Sequence, residues 1–167
     1  MAFDPKKLTT KTAEVITAAL QSAKTQNNPE LTADHVMAAL TRQNDTIVPM
    51  FLAKLGVATT MLRDRADEAV NKLPRAVGGS EPRMDRELSN ILDQADKFRK
   101  DLRDDFLSAE HLLLALSKRV GIGADEMLQA LRDIRGSHRV TSENPEGQFQ
   151  ALDKYGQDLT ARAHEGK

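Results

Sequence analysis

Leu31-Thr32-Ala33-Asp34-His35-Val36-Met37-Ala38-Ala39-Leu40 returns seventy-six positions later as Leu107-Ser108-Ala109-Glu110-His111-Leu112-Leu113-Leu114-Ala115-Leu116. Five of the ten positions are identical and most of the others conservative, Thr32 against Ser108 and Asp34 against Glu110 among them. Self-similarity at a fixed offset decides architecture before any motif is read. The same offset sets Val15 on Ile91, Ile16 on Leu92 and Ala19 on Ala95 without a gap, so the duplication takes in two helical patterns and their connection. Downstream, Met61-Leu62 matches Met127-Leu128 only at an offset of 66, which makes the second copy ten residues shorter than 76 would require. That is the length of the third helical pattern, and the second half is expected to lack its counterpart.

Outward from the duplicated decamers, apolar residues recur at helical spacing and no stretch alternates with period two long enough to make a half-buried strand. The first helix is expected from about Thr9 to Gln26, capped by Thr9 or Thr10, with Val15, Ala19 and Ala23 on its apolar face. A second begins after Thr32. A short third follows Asp45, with Pro49 in its first turn and Gly56 after its last residue. Thr59 or Thr60 opens a fourth that Pro74 stops. After the turn-rich PRAVGGSEPR of Pro74 to Arg83 come a fifth helix near Asp85 to Asp101, a sixth after Ser108, and a seventh from about Asp125 to Arg135, ended by Gly136. Residues 137–147 read as a polar linker, and Phe149, Leu152, Tyr155, Leu159 and Ala163 as a last helical stripe that runs nearly to Lys167, as though the chain continued. The expected fold is all-α: two tandem helical repeats, residues 1–74 and 85–136 about a joint at 75–84, forming a pseudo-twofold bundle followed by a linker and a C-terminal helix over 137–167.

Composition excludes several functions. With 24 Lys and Arg against 25 Asp and Glu, the chain lacks the cationic excess with which nucleic-acid binders neutralise phosphates. It has no Cys, hence no disulfide framework, thiol nucleophile or thiolate metal site, which fits a reducing compartment. No apolar run reaches the ~20 residues that cross a bilayer, and no signal peptide is visible at Met1 to Lys7, so a cytoplasmic protein without membrane contact is expected. There is no phosphate-cradling G-x-x-x-x-G-K-[ST] loop and no nucleophile elbow. His35 and His111 stand at equivalent repeat positions beside Asp34 and Glu110, but without H-E-x-x-H or comparable spacing; a packing role is expected, and no metal or cofactor. Lys97, Arg99, Lys100 and Arg103 alternate with Asp residues between Asp93 and Asp105, a pattern expected on a solvated helical face. Each half carries an apolar stripe too wide to satisfy alone. The seam between them is either plain core or a partly open groove, lined by Val15, Phe98 and neighbouring aliphatics, that takes an apolar peptide segment.

The order of these features resembles the N-terminal, Clp N repeat domain of the ClpB family of AAA+ protein disaggregases. The resemblance rests on Leu8-Thr9-Thr10-Lys11, the paired decamers, Leu73-Pro74, Asp104-Asp105-Phe106, Ile134-Arg135-Gly136, and a tail, Gln150 to Tyr155 with Asp158 to Ala163, similar to the segment that leads into that family's first ATPase module. It implies a non-catalytic module that recognises unfolded or aggregated polypeptides. The fragment would be monomeric; the full-length protein would be a homo-hexamer that binds ATP and Mg and cooperates with the DnaK chaperone system. The duplicated motif is shared with ClpA and ClpC domains, whose example implies an adaptor-docking module instead. Carried over position by position, the family's substrate-affecting polar residues fall on Thr9, Asp104 and Glu110, and its groove near Val15, Gln94, Phe98 and His111, where Gln94 and His111 are more polar than the usual aliphatics. Thr9 as a helix cap, Asp104 as a turn residue and Glu110 as a first-turn acid are the structural alternatives for the three polar positions.

Overall fold

The computed structural model describes residues 4–79 and 81–146. The C-terminal stripe from Phe149 and the tail motif lie outside the described residues. The elements are a 3-10 turn Pro5–Lys7, α1 Thr10–Thr25, β1 Glu30–Leu31, α2 Ala33–Leu40, α3 Val48–Leu55, α4 Thr59–Asn71, β2 Arg83–Met84, α5 Arg86–Asp101, α6 Ala109–Ala115, α7 Ser117–Val120 and α8 Ala124–Arg135.

Local chemistry sets most boundaries, and it is duplicated. The Thr9 and Asp85 side chains, seventy-six residues apart, accept the N–H groups of Thr12 and Leu88 and so cap α1 and α5. Thr32 and Ser108 cap α2 and α6. Even the backbone reversal after the first helix recurs: Asn27 at φ 56° and Arg103 at φ 59° are the two non-glycine residues with positive φ among those described. Asn tolerates this conformation readily, whereas Arg loses roughly 1–2 kcal/mol there. Hydrogen bonds around Arg103 hold it, its carbonyl accepting from Arg139 Nε at 2.6 Å. α4 opens at Thr59 as expected, but the cap position is Ala58, whose side chain has nothing to donate or accept.

The two halves clasp through their leading segments. Glu30 and Leu31 pair in parallel with Arg83 and Met84, and Leu8 bridges Leu107 in the same sense. Leu8 and Met84 are equivalent positions, as are Leu31 and Leu107. Each half therefore inserts the residues before its first helix against the loop after the other's, the reciprocity of a twofold interface within one chain. Asp85 N–H donates to Leu31 O and Thr9 N–H to Leu107 O, both at 3.0 Å. Two-residue strands have no periodicity to show in a sequence, and these went unforeseen in an otherwise helical fold.

After the duplicated decamers the halves diverge. α3 buries Val48, Phe51 and Leu52 and packs across the seam against α6 and α8. Its counterpart is present, but as the single turn α7, where the sequence led us to expect none. Gly56 and Gly121 end α3 and α7 with left-handed φ of 72° and 86°, which glycine adopts without a Cβ penalty. From there the register is 65: Thr59 and Ala124 open α4 and α8, and the buried Leu62, Ala66 and Val70 correspond to Met127, Leu131 and Arg135. The second copy is thus eleven residues shorter than an offset of 76 requires, a correction of one; the Met-Leu doublets match in letters but not in burial, since Met61 is exposed and Met127 buried.

Two further expectations change. The segment read as a polar linker is docked from 138 to 146: Val140 is fully buried, Pro145 is buried, and Glu143 O accepts from Thr10 N–H at 2.9 Å. Polar composition concealed two apolar anchors and the backbone groups between them. The charged run on α5 is only partly solvated, because Asp96, Arg99 and Asp104 are buried and Arg99 donates to Asp96 Oδ1 at 2.7 Å and to Asp104 O at 3.0 Å.

Buried residues of both halves form one core cluster that includes Phe51, Met37, Leu92, Leu113 and Leu131. Phe51→Ala is expected to cost about 3–5 kcal/mol and to lower the denaturation midpoint of the whole described domain in one transition; two separated transitions would show that α3 does not couple the halves.

Candidate functional site

Each half holds a histidine locked by the same local bond. In the second half Ser108 N–H donates to His111 Nδ1 at 2.9 Å, and in the first Thr32 N–H donates to His35 Nδ1 at 3.0 Å. An accepting Nδ1 puts the proton of the neutral ring on Nε2, which then donates outward. His35 Nε2 meets Asn28 Oδ1 at 2.9 Å, and His111 Nε2 meets Asp104 Oδ2 at 2.6 Å. Asn28 and Asp104 are equivalent positions. Burial keeps both imidazoles below their usual range, for His111 against the pull of the Asp104 carboxylate. Both ring nitrogens are therefore taken by protein partners, and among the described residues no group of three His, Asp or Glu stands ready to hold a metal.

The exchange of Asn28 for Asp104 brings a buried charge, and the second half supplies its counterion. Arg135, equivalent to Val70, grips Asp104 with two nitrogens at 2.9 and 2.5 Å, and Val140 N–H adds a bond to Oδ1 at 2.8 Å. Burial pushes the Asp104 carboxyl up, but the donors from His111, Arg135 and Val140 outweigh it and hold it at about 2. Neutral Asn28 with apolar Val70 in one half, anion with cation in the other, keep each site balanced. Asp104 N–H donates to Arg99 O and Asp104 O accepts from the Arg99 guanidinium, which fixes it to the end of α5, while Asp105 N–H to Val140 O at 2.8 Å and Arg135 to His138 O tie the 138–146 segment to the same point.

Glu110 lies beside this cluster with neither carboxylate oxygen hydrogen-bonded to a protein group. Burial raises it to about 8; Arg135 pulls the other way, while Asp104 and Glu146 add to the rise.

A cavity of 610 Å³ opens on the far side of α5 and α6. Ile91 and Phe98 give it an apolar floor, backed by the fully buried Leu114 and Leu116; Gln94 and Asn90 stand on its rim with Arg86, Glu87, Lys118 and Arg119. Arg119 is engaged by Asp34 of the first half and Glu87 of the second, at 2.9 and 2.7 Å, which bolts this edge of the cavity to α2.

Of the residues singled out from the sequence, the structure brings Gln94 and Phe98 together in this cavity. Val15 is 1% exposed and His111 wholly buried, both in the core rather than on the cavity wall. Thr9 caps α1, its hydroxyl 2.8 Å from that of Thr12. Asp104 and Glu110 are buried in the polar cluster, so in this conformation none of the three polar residues offers a surface to a partner. The cavity lies within the second half, on α5 to α8, rather than along the seam. Ile91, Leu114 and Lys118 went unnoticed as its lining, although the repeat offset that pairs Ile91 with Val15 was a signal that could have found Ile91.

Duplicated helices clasped about a pseudo-twofold, with a capped S/T-A-x-H motif in each half, define a Clp repeat N-terminal domain; that family matches residues 7–131, and the chain belongs to it. The chain is similar to the chaperone protein ClpB of Mycobacterium tuberculosis, 40% identical over 177 aligned positions that take in 99% of this chain and 20% of that protein. It thus spans about a fifth of the length of the curated relatives it matches. Among solved structures, the Hsp104 N-terminal domain from Candida albicans superposes with a TM-score of 0.72 at 21% identity, covering 84% of this chain and 99% of that one. A ClpV N-domain in complex with a VipB peptide gives 0.57 at 20% identity, covering 91% and 96%. At those identities the two structures attest the fold. The matched family is an N-terminal domain, not an ATPase module.

For Glu110 the linkage has a definite sign. Its folded carboxyl titrates near 8 against an ordinary 4.5, so the folded state binds the extra proton between those values and loses stability as pH rises through them. Glu110→Gln removes the cost of ionisation, on the order of a few kcal/mol at pH 8. Thermal unfolding is expected to show the variant more stable than the parent at pH 8 and equal to it near pH 5; a constant difference across that range would mean that Glu110 stays solvated.

Proposed function

We propose that the chain is the client-recognition domain of a ClpB-type disaggregase, and that it binds apolar segments of unfolded or aggregated polypeptides in the α5–α6 cavity without chemical change. The observation that carries this reading is the cavity itself: an apolar floor at Ile91 and Phe98, open to a surface that is otherwise strongly charged. An unfolded chain exposes apolar segments that a native protein hides, so such a floor discriminates folding state without reading sequence. The likeness to a ClpV N-domain that was solved with a peptide supports a peptide-binding role for the fold.

Affinity per domain is low on this reading. Ordering a slack segment costs free energy comparable to what a shallow floor returns, and a dissociation constant on the order of 10⁻⁵ to 10⁻⁴ M is expected. In the whole protein, a hexamer with ATP- and Mg-dependent rings working alongside the DnaK system, six such domains compensate by local concentration. Asp104 and Glu110 then act on clients only indirectly, through the posture of the 138–146 segment by which the chain leaves the domain.

NMR titration of the chain with reduced, unfolded casein is expected to shift the amides of Ile91, Gln94, Phe98 and Ala115, and Phe98→Ala is expected to weaken binding at least about tenfold, 1.4 kcal/mol. Unaltered casein capture by a folded Phe98→Ala variant overturns the site. Indifference to casein with tight binding to one folded adaptor overturns the client reading in favour of adaptor docking.

A further inference from the structure

The pseudo-twofold gives the seam two equivalent ends, where the opening of α5 meets α2 and the opening of α1 meets α6. Only the first is balanced in charge. There Arg119 donates to Asp34 at 2.9 Å and to Glu87 at 2.7 Å. At the other end, the offset of 76 makes Gln43, Glu110 and Lys11 the equivalents of Arg119, Asp34 and Glu87. The backbone agrees, since the amides of Arg119 and Gln43 donate to Leu116 O and Leu40 O at 2.9 and 3.3 Å. Gln43 keeps the position without the charge. Its Nε2 donates to Lys11 O, but its Oε1 and both carboxylate oxygens of Glu110 are buried with no hydrogen bond among the described residues. Lys11 turns away to Asp45 at 2.5 Å and Glu14 at 3.5 Å.

Asp34 keeps 23% of its side chain exposed, so its anion retains water as well as Arg119, whereas Glu110 is 0% exposed. The groups that face Glu110 oppose its ionisation on balance. Arg135 of α8 favours the anion, but its nitrogens are committed to Asp104; Asp104 itself and Glu146 of the 138–146 segment repel it. His111, on the same helix, is kept neutral by burial. Glu146 is half-buried and pushed up by that burial, with Lys11 drawing it down and Asp45 and Glu14 adding to the rise. Of the parts that meet here, α6 is fixed, because Leu112, Leu113 and Leu114 are fully buried in the core. The 138–146 segment is held more lightly, by Val140, Pro145 and single bonds such as Thr10 N–H to Glu143 O.

We propose that residues 138–146 are a strap that stays docked while Glu110 is protonated and is released when Glu110 ionises. A buried carboxyl without a donor is tolerable as the neutral acid and costly as the anion. Release admits water to Glu110 and relieves the repulsion from Glu146, while the core stays packed. Docking therefore takes up a proton. With Glu110 near 8 when covered and at an ordinary 4.5 when solvated, docking is strongest below 4.5, and the ratio of docked to released strap falls tenfold per pH unit between the two values. The nine residues of the strap, once free, add roughly 30 Å of extended chain between the domain and the residues that follow. The reach of the domain thereby depends on pH, whatever the α5–α6 cavity binds.

Hydrogen exchange at single amides of the whole chain, corrected for the intrinsic pH dependence of exchange, tests this. Asp105 N–H and Thr10 N–H, bonded to Val140 O and Glu143 O, report on the strap; Asp85 N–H, bonded to Leu31 O at the balanced end of the seam, is the internal reference. Strap protection relative to the reference is expected to fall at least about tenfold between about pH 6 and pH 8 in the parent. It is expected to stay level in Glu110→Gln and to fall less in Glu146→Gln, a substitution outside the core. A level profile in the parent overturns the inference, as does a Glu110→Gln or Glu146→Gln profile identical to the parent's. A fall that Glu110→Gln keeps and His138→Gln abolishes assigns the titration to the strap's own histidine and overturns it as well.

Discussion

A carboxylate with no water around it must be surrounded by donors, and the second half of this domain is organised around that requirement at Asp104. His111 meets it from α6, Arg135 from α8 and the Val140 amide from the segment beyond. Three parts of the chain, separated by up to thirty-six residues, are thereby fixed relative to one another. A charge buried with this many partners adds little net stability over an apolar substitute, but removing one partner strands the rest. The first half shows the alternative: Asn28, His35 and Val70 occupy the same positions without ions. The second half thus has an ionic site where the first has a neutral one, and the ionic site also holds the 138–146 segment through Val140.

That attachment changes the meaning of the polar residues that the family resemblance pointed to. Thr9, Asp104 and Glu110 converge on the end of the domain where the chain enters α1 and leaves through Val140. Thr9 caps α1 and its amide bonds Leu107; Thr10 N–H bonds Glu143; Glu110 faces Glu146. The apolar cavity lies on another side of α5 and α6. Two kinds of site thus share two helices: a sealed polar end that sets the exit of the chain, and an open apolar face. Helix α5 carries Arg99 toward the one and Phe98 toward the other.

How much of this was legible depended on whether the signal was periodic. Helical spacing and the repeat offset of 76 revealed the longer helices, the starts of α2 and α6 after Thr32 and Ser108, and the equivalence of the two histidines, while the first cap stayed open between Thr9 and Thr10. It could not give the reciprocal strands, since a two-residue strand such as Glu30–Leu31 leaves no alternation, and it could not distinguish a docked segment from a linker where two anchors, Val140 and Pro145, stand among polar residues. The Met-Leu doublets misled by one position because identity of letters is weaker than identity of burial. Of the residues expected along a groove, Phe98 and Gln94 line the α5–α6 cavity and Val15 and His111 lie in the core. An apolar residue on a helix reads alike whether it faces core or cavity, and only the position of the neighbouring helix decides which.

The position of that neighbouring helix follows from where the two copies diverge. Shortening α3 to the single turn of α7 sets the register of 65 that puts Arg135 where Val70 stands, and Arg135 commits the last turn of α8 to Asp104. The side chains between the helices diverge as well: Phe98 and Leu114, both buried, stand where the first half has the smaller and more accessible Ser22 and Ala38. In the first half the small residues leave one hollow that α1, α2 and α4 line together. In the second the equivalent residues are divided between two, Leu102 and Arg135 in one and Phe98, Ala115 and Lys118 in the other. Side-chain volume at two positions thus decides how the space between three helices is partitioned, although the helices and their caps are duplicated.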